Sequence, residues 1–157
     1  MQTTPVIAIF DIGKTNKKMF LFDEEYNVLL EKNVQLPETT DEDGFACEDV
    51  HALTDWVRTS LREVVLQPGI SLKALNFSTY GASFVHIDAE GKPVAPLYNY
   101  LKPYPQELQD EFYKRYGGEL TFSMHTASPV LGSLNSGLQL YRIKVEQPEL
   151  FRKIHYS

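Results

Sequence analysis

The chain has 157 residues, of which 43% are hydrophobic and 12% aromatic, and its formal net charge at pH 7 is -6. This length suits one domain, and this composition predicts a folded core rather than disorder. An acidic chain without a basic block argues against binding to nucleic acid, and no apolar run approaches the ~20 residues that cross a bilayer.

Three strands are predicted at the start of the chain. Residues 6–10 are apolar without alternation, which is typical of a buried strand, and residues 18–22 and 28–35 form the next two strands. Short turns separate them, so we expect a meander of two hairpins. The polar residues 37–44 are predicted to form a loop.

A helix and further strands should follow this loop. Asp49 is a suitable N-cap, and apolar residues then recur at helical spacing at positions 50, 53, 57, 61, 64 and 65. The sequence Pro68-Gly69 should end that helix. Residues 73–78 and 83–88 are predicted strands. Three meandering strands, a crossover helix and another strand give a mixed α/β sheet with flanking helices.

The second half of the chain is predicted to be mainly helical. A helix over residues 103–116 has proline near its first turn and should end at Gly117-Gly118. Residues 119–129 look irregular. A helix over 134–145 would place Leu134, Leu138, Tyr141 and Val145 on one face, and a further helical turn should cover 149–154.

The run DIGKTNKK at positions 11–18 carries the clearest chemical signal. A buried strand brings an acid to a tight turn that offers backbone N–H groups, small polar side chains and lysines. Such a turn can surround nucleotide phosphates, and the acid can hold a hydrated Mg²⁺. The spacing is not that of a P-loop. The alternative is a hairpin in which Asp-Ile-Gly merely shapes the turn.

The pattern Asp-x-Gly-x-Thr-x-x-Lys at positions 11–18 resembles the phosphate loop of the FGGY carbohydrate kinases, which use ATP and Mg²⁺ to phosphorylate a sugar or polyol. Residues 74–91 resemble the strand-turn-strand that leads to the family's sugar pocket. Residues 98–100 look like an aromatic-rich segment, and 138–151 like a helix followed by a Pro-Glu-Leu turn. The turn at 79–81 is most similar to the rhamnulokinase branch.

This resemblance covers nearly the whole chain and implies a ribonuclease H-like fold of the actin-like ATPase and sugar kinase superfamily. It also implies roles for particular residues. Asp11 is expected to bind Mg²⁺. Nucleotide phosphates are expected at Gly13, Lys14, Thr15, Asn16, Lys17 and Lys18, and the sugar at Thr79, Tyr80, Gly81 and Tyr100. The sugar would be a ketose or deoxy-ketose such as L-rhamnulose or L-fuculose.

The resemblance further implies that the general-base Asp and the ATP-binding lobe lie beyond Ser157. We therefore expect residues 1–157 to be a truncated amino-terminal lobe, inactive alone and with an apolar face exposed where the other lobe should pack. The full-length protein is expected to bind sugar and ATP, without nucleic acid or membrane partners, and could form a homodimer.

The chain departs from the family's pattern in two places. Leu101-Lys102 stands where the branch usually has an acid and an arginine, and Lys14 stands where small residues are commoner. Lys102 is expected either as a solvated loop lysine or as a partner for a negatively charged ligand. This departure supports a second hypothesis, a non-catalytic sugar sensor. A third is another actin-like ATPase with a protein partner.

The remaining candidates have structural explanations. The lone Cys47 cannot form an internal disulfide, and the first residues lack a signal-peptide pattern, so we expect a cytoplasmic protein. The histidines are scattered without metal-ligand spacing and are expected at the surface or in hydrogen bonds. Trp56, beside the apolar stripe of the first helix, is expected to pack in the core rather than stack on a sugar.

Overall fold

The computed structural model describes residues 3–157, which form a mixed α/β fold. The elements in chain order are β1 (Thr4–Ile12), β2 (Lys17–Phe22), β3 (Val28–Val34), β4 (Glu38–Thr40), β5 (Ala46–Glu48), α1 (Val50–Leu66), β6 (Ile70–Thr79), α2 (Gln106–Arg115), α3 (Glu119–Thr126), a short 3₁₀ helix (Gly132–Leu134), α4 (Ser136–Glu146) and α5 (Pro148–Lys153). No helix in this part of the chain has the length and apolar character that crossing a bilayer requires.

The chain divides into two compact units. The first contains the residues up to Thr39 together with Glu48–Gly81, and the second contains Thr40–Cys47 and Ala82–Ser157. Two short strands that sequence patterns did not reveal, β4 and β5, pair with each other. The prediction of a loop throughout residues 37–44 is therefore wrong at β4.

The first unit is built on a four-stranded sheet in the order β3-β2-β1-β6. The strands β1, β2 and β3 form the expected antiparallel meander. The strand β6 is parallel to β1, so the chain must cross over between them, and α1 makes that crossover. The predicted mixed sheet with flanking helices is confirmed.

The core of the first unit lies on one face of this sheet. Alternate side chains of β1 are buried there, including Ala8 and Phe10, while their neighbours in sequence point to the opposite face. The helix α1 contributes Val64 to this core. Trp56 packs edge-on against Phe10 at a ring distance of 5.4 Å, as the sequence predicts. Val65, placed on the apolar stripe by spacing alone, is 62% exposed.

The strand β6 lies at the edge of the sheet among the described residues. Phe77 stacks on Phe10 at a ring distance of 5.3 Å, yet it is 46% exposed, and Leu75 is 40% exposed. Both large apolar side chains remain accessible, and no further strand lies beside β6 within residues 3–157. The first unit therefore has an apolar sheet edge among the described residues, and the packing of another lobe against it stays a prediction.

A side-chain cap fixes the start of α1. The carboxylate of Asp49 accepts hydrogen bonds from the N–H groups of His51 and Ala52 at 2.9 and 3.0 Å. These N–H groups have no partner within the helix, so an acid at this position satisfies them and also interacts favourably with the helix dipole. The predicted cap is confirmed.

Removing this cap is expected to destabilise the protein moderately. The substitution Asp49→Ala should lower the free energy of unfolding by about 1 kcal/mol, because two backbone donors lose their acceptor. Urea unfolding measures the change. Asp55→Ala, on an exposed position of the same helix, is the matched control and should change stability by less than about 0.5 kcal/mol. Equal effects of the two substitutions would contradict the assigned cap.

The second unit contains the helices α2 to α5. The helix α2 begins at Gln106 rather than 103, because Pro105 has an extended backbone with ψ of 121° and serves as the N-cap. The prediction that residues 119–129 are irregular is wrong, since α3 occupies most of them. Phe122 of α3 lies 5.2 Å from the ring of Phe112, whose ring also lies 5.0 Å from that of Tyr141. These aromatic contacts hold α2, α3 and α4 together.

The predicted strand over residues 83–88 is wrong, since only isolated bridges at Ile87 occur there. Ile87 pairs with Pro93 on one side and with Tyr156 on the other. The Asp88 carboxylate accepts hydrogen bonds from the N–H groups of Glu90 and Lys92, so the chain turns immediately after Ile87. Because the chain turns there, residues 83–88 do not form a continuous strand pairing.

His86 lies almost fully buried in the second unit, with 1% of its surface exposed. Its Nδ1 is 2.9 Å from Ser157 Oγ, and its Nε2 has no hydrogen-bond partner among residues 3–157. Burial lowers the pKa of this imidazole below its ordinary value, because the charged form would lose its hydration.

Acid is therefore expected to destabilise the protein through His86. The unfolded chain takes up a proton at this imidazole below about pH 6.5, whereas the folded protein resists protonation until its lowered pKa. The stabilisation is complete above about pH 6.5 and is lost as the pH falls towards the folded pKa, by at most about 1.4 kcal/mol per pH unit.

Urea unfolding across this pH range tests the effect. The substitution His86→Gln should reduce the slope of stability against pH. Identical slopes for wild type and His86→Gln would show that His86 does not link stability to pH.

Candidate functional site

Two turns meet at one end of the first unit's sheet. Because β1 and β6 are parallel neighbours, their carboxyl ends lie at the same edge, with Ile12 opposite Thr79. The N–H of Tyr80 donates to the carbonyl oxygen of Ile12 at 3.1 Å. The turn Gly13–Asn16, here called the phosphate turn, therefore lies beside Thr79–Gly81, here called the sugar turn. Ligands of open α/β sheets commonly bind outside the carboxyl ends of strands.

The phosphate turn is tight and requires glycine at its first position. The N–H of Gly13 donates to the carbonyl oxygen of Asn16 at 3.0 Å. A Cβ atom on Gly13 would lie 2.8 Å from that same oxygen, which is closer than real side chains approach. Among residues 3–157, no acceptor receives a hydrogen bond from the N–H groups of Lys14, Thr15 or Asn16. Such backbone donors in a turn are suited to an anion.

The charged residues that flank this turn in β1 and β2 are divided between the two faces of the sheet, because side chains alternate along a strand. Asp11 and Lys18 are register partners and lie on the face away from α1, and Asp11 is exposed. Lys17 is the next residue along and faces α1, where its side chain is 4% exposed. The sequence grouped Lys17 with Lys18, but a strand cannot present consecutive side chains to the same ligand.

Each lysine of the predicted site has a carboxylate partner. Lys14 Nζ lies 2.6 Å from Glu38, and Lys18 Nζ lies 3.3 Å from Glu31. These two pairs are at least partly exposed, so each contributes little to stability, and a phosphate could replace the carboxylate. Lys17 pairs with Glu48 in the interior, where removing one partner leaves an uncompensated charge. Lys14 and Lys18 are therefore more accessible to a ligand than Lys17, although Lys14 lines the same small cavity as Lys17 and Glu48.

The sugar turn has an open side and a buried side. Thr79 and Gly81 are exposed, and a Cβ atom on Gly81 would meet no atom within 4 Å. The fold therefore does not require glycine at position 81. The explanation that the sequence suggests, close approach of a ligand, stays a prediction. Tyr80 is half-buried, and its hydroxyl donates to Glu48. Its predicted contact with a sugar stays a prediction.

The remaining predicted sugar residue belongs to the second unit. Tyr100 is half-buried and follows the buried residues Leu97, Tyr98 and Asn99. The hydroxyl of Tyr98 donates to Glu42 at 2.7 Å. Burial, followed by this hydrogen bond to a carboxylate, raises the pKa of Tyr98 well above its ordinary value, so the phenol keeps its proton.

Lys102 is not solvated, and that prediction is wrong. Its Nζ lies 2.5 Å from Asp41 and 2.7 Å from Asp43, and its side chain is largely buried. Burial lowers the pKa of Lys102, but the hydrogen bonds to the two carboxylates outweigh it and raise the net pKa. A hydrogen bond from Lys102 in turn lowers the pKa of Asp43. Two acids neutralise Lys102, so it offers no excess positive charge to an anionic ligand.

No preformed metal cage is present in the described part of the chain, since no group of three or more His, Cys, Asp and Glu side chains converges there. Mg²⁺ commonly keeps several waters and takes only one or two carboxylates together with substrate phosphates. An exposed acid beside the phosphate turn, such as Asp11, fits that mode of binding. Its role as a metal ligand stays a prediction.

The model of the FGGY family of carbohydrate kinases, N-terminal domain, matches residues 6–157. The chain belongs to this family. The comparison with curated proteins gives no match. The family assignment that the phosphate-turn pattern suggested is therefore confirmed, while the rhamnulokinase branch stays a prediction.

Solved structures of FGGY-type sugar kinases share the fold. A ligand-bound xylulose kinase from Lactobacillus acidophilus superposes with a TM-score of 0.78 at 17% identity, over 96% of this chain and 30% of that one. Gluconate kinase from the same organism gives 0.74 at 17%, over 97% and 30%. Plasmodium falciparum glycerol kinase with ADP gives 0.72 at 19%, over 98% and 31%. This chain spans about 30% of the length of these proteins.

Sequence reasoning missed two buried acids of this family member. Glu48 contacts both Lys17 and Tyr80, and Asp41 contacts Lys102. Both acids lie at the ends of the short strands β4 and β5, which give no clear periodic signal. The sequence did contain one indication of them. A lysine among apolar or aromatic residues is expected to be buried, and a buried lysine needs a carboxylate partner from elsewhere in the chain.

Proposed function

We propose that the complete protein phosphorylates a sugar hydroxyl with ATP, and that this chain supplies the phosphate turn and part of the sugar site. The observation that carries the proposal is the phosphate turn beside the sugar turn, with Asp11 exposed at their common edge. Family membership and the names of the similar structures, which are xylulose, gluconate and glycerol kinases, support it.

In this proposal the residues of the first unit position charge rather than form covalent bonds. The N–H groups of the phosphate turn and the ammonium groups of Lys14 and Lys18 bind phosphate oxygens. Asp11 would hold Mg²⁺, which would supply neutralisation of charge on the phosphates. The sugar turn orients the substrate, and Gly81 allows its close approach.

The general base is proposed to lie in a further lobe, together with the adenosine pocket. The chain spans about 30% of the length of similar kinases, so most of such an enzyme lies outside it. Closure of two lobes would exclude water from the phosphates. This chain alone is therefore proposed to have no kinase turnover. For the substrate we propose a ketose such as L-rhamnulose or L-fuculose, from the sugar turn's likeness to the rhamnulokinase branch.

Coupled ADP release tests the proposal. The complete open reading frame is assayed with Mg²⁺-ATP against a panel of ketoses, aldoses and polyols, with this chain alone as a second sample. Sugar-dependent release by the complete protein, absent from the chain alone, is the expected result. A complete protein that turns over no sugar contradicts the kinase proposal, and release by the chain alone contradicts the two-lobe part.

No observation favours the non-catalytic sensor over the kinase. Its support in the sequence was Leu101-Lys102, and the structure gives Lys102 two carboxylate partners within the second unit. An actin-like ATPase with a protein partner is likewise without a supporting observation, because the chain belongs to the carbohydrate kinases.

A further inference from the structure

The carboxylate of Glu48 lies between the two turns of the candidate site. It is 7% exposed and belongs to none of the predicted binding residues. One of its oxygens, Oε1, accepts a hydrogen bond from Lys17 Nζ, and the other, Oε2, accepts one from the hydroxyl of Tyr80. A single buried acid thus contacts a residue next to the phosphate turn and the central residue of the sugar turn.

The backbone of Glu48 is fixed from both sides. It is the last residue of β5, and the next residue, Asp49, caps α1 through two hydrogen bonds. The alternation of β2 points Lys17 towards α1 and away from Asp11, so its ammonium reaches Glu48 rather than the open face of the sheet. Glu48 therefore acts from a rigid position, which is what a residue needs in order to orient others.

Both partners of Glu48 are also hydrogen-bonded to the phosphate turn or to the residue that precedes it. Lys17 Nζ donates to the carbonyl oxygen of Lys14 at 2.9 Å, inside the turn. The N–H of Tyr80 donates to Ile12 at 3.1 Å, where the turn begins. A displacement of either turn therefore strains charge-assisted hydrogen bonds in a buried site, where such bonds are strong.

We infer that Glu48 is a positioning residue that couples the phosphate turn to the sugar turn, so that a change at one turn alters ligand binding at the other. This inference rests on the proposed function for the identity of the two ligands. A purely structural ion pair would affect stability and could affect the ligand beside it. Coupling predicts effects on the ligand at the opposite turn.

Steady-state kinetics of the complete protein tests the coupling. Tyr80→Phe removes a hydroxyl on the sugar side, and it should raise the KM for Mg²⁺-ATP. Lys17→Met removes an ammonium on the phosphate side, and it should raise the KM for the sugar. Glu48→Gln keeps the shape of the side chain, and it should raise both KM values, each by about tenfold.

Glu63→Gln is the matched control. Glu63 pairs with Lys32 at an exposed position of the same unit, so the control removes one carboxylate and one lysine contact without touching either turn. It should leave both KM values unchanged. The coupling is overturned if Tyr80→Phe changes only the KM for sugar and Lys17→Met only the KM for Mg²⁺-ATP, or if Glu48→Gln behaves like the control.

Loss of Lys17 alone leaves the Glu48 carboxylate buried and unpaired, and the variant could fail to fold. The double substitution Lys17→Met with Glu48→Leu replaces the ion pair by apolar groups of similar volume, which buried sites commonly tolerate. This double variant should unfold as cooperatively as the wild type, but both of its KM values should stay raised. Recovery of both KM values together with stability would show that the pair is structural only.

Amide hydrogen exchange keeps the inference testable if the wild-type protein turns over no sugar. The reporters are the N–H groups of Gly13 and Tyr80, which are bonded to Asn16 and Ile12. Glu48→Gln should accelerate exchange of both by about tenfold, while amides of β1 and β2 in the core and the Glu63→Gln control stay unchanged. Acceleration at only one reporter, or at neither, overturns the coupling whether or not the kinase proposal holds.

Discussion

Asp11→Asn is expected to lower kcat for sugar-dependent ADP release by the complete protein about 10²–10³-fold. Asparagine has the shape of aspartate but no charge, so the variant loses the exposed carboxylate that β1 places beside the phosphate turn. Phosphoryl transfer depends mainly on positioning and charge neutralisation, and a metal that is held less well supplies both poorly. The stability of the fold should change by no more than about 0.5 kcal/mol, because Asp11 is exposed.

A titration with Mg²⁺ separates metal binding from other roles of Asp11. If the carboxylate serves the metal, the Mg²⁺ concentration for half-maximal activity should rise in Asp11→Asn, and excess metal should restore part of the rate. Asp55→Asn, at an exposed position on α1, should behave as wild type. Normal kcat and a normal Mg²⁺ requirement in Asp11→Asn would remove Asp11 from the site.

Gly13→Ala is expected to destabilise the protein by about 1–3 kcal/mol and to weaken Mg²⁺-ADP binding at least tenfold. The new Cβ would lie 2.8 Å from the carbonyl oxygen of Asn16, which accepts the hydrogen bond that closes the turn. The backbone must shift to relieve this contact, and the N–H groups that follow Gly13 shift with it. Urea unfolding and titration calorimetry of the complete protein measure the two effects.

Gly81→Ala is the matched comparison for stability. Its Cβ would meet no atom within 4 Å, and the residue lies outside the left-handed region, so the folding cost should stay within about 0.5 kcal/mol. A loss of sugar affinity without a loss of stability is expected there. If Gly13→Ala were as stable as Gly81→Ala and bound nucleotide normally, the phosphate turn would not depend on the close approach at Gly13.

The sheet of the first unit could be predicted from sequence because its elements carry strong local signals. The buried run of β1, the cap at Asp49 and the helical spacing of α1 each agree with the structure. Long, regular elements repeat their pattern often enough to be recognised. The short strands β4 and β5 do not, since three residues contain little more than one period of alternation.

The second unit was harder to predict, because tertiary contacts decide its elements. The helix α4 buries Leu138, Gln139 and Ile143, whereas the apolar spacing placed Leu134 and Val145 on the buried face. Gln139 is buried because its amide donates to the carbonyl oxygens of Ala82 and Ser133. A polar residue satisfied in this way cannot be recognised from hydrophobic periodicity.

In the candidate site, too, the local signals could be predicted from sequence and the long-range contacts could not. Asp11 and the phosphate turn lie where the motif placed them, at the end of a buried strand. The partners of the lysines lie far away in sequence, as Lys17 and Glu48 do, and no local pattern links them. Sequence therefore predicted the residues of the turn but not which of its charges are already neutralised.

The open edge at β6 has a consequence for how this chain behaves in concentrated solution. Its backbone groups, which no other strand within residues 3–157 pairs, are together with Leu75 and Phe77 a template on which another copy could add a strand. The formal net charge of -6 opposes such encounters, but dissolved salt screens repulsion beyond about 10 Å at 0.1 M ionic strength. Low ionic strength should therefore favour the dispersed protein, and salt should favour edge-to-edge association.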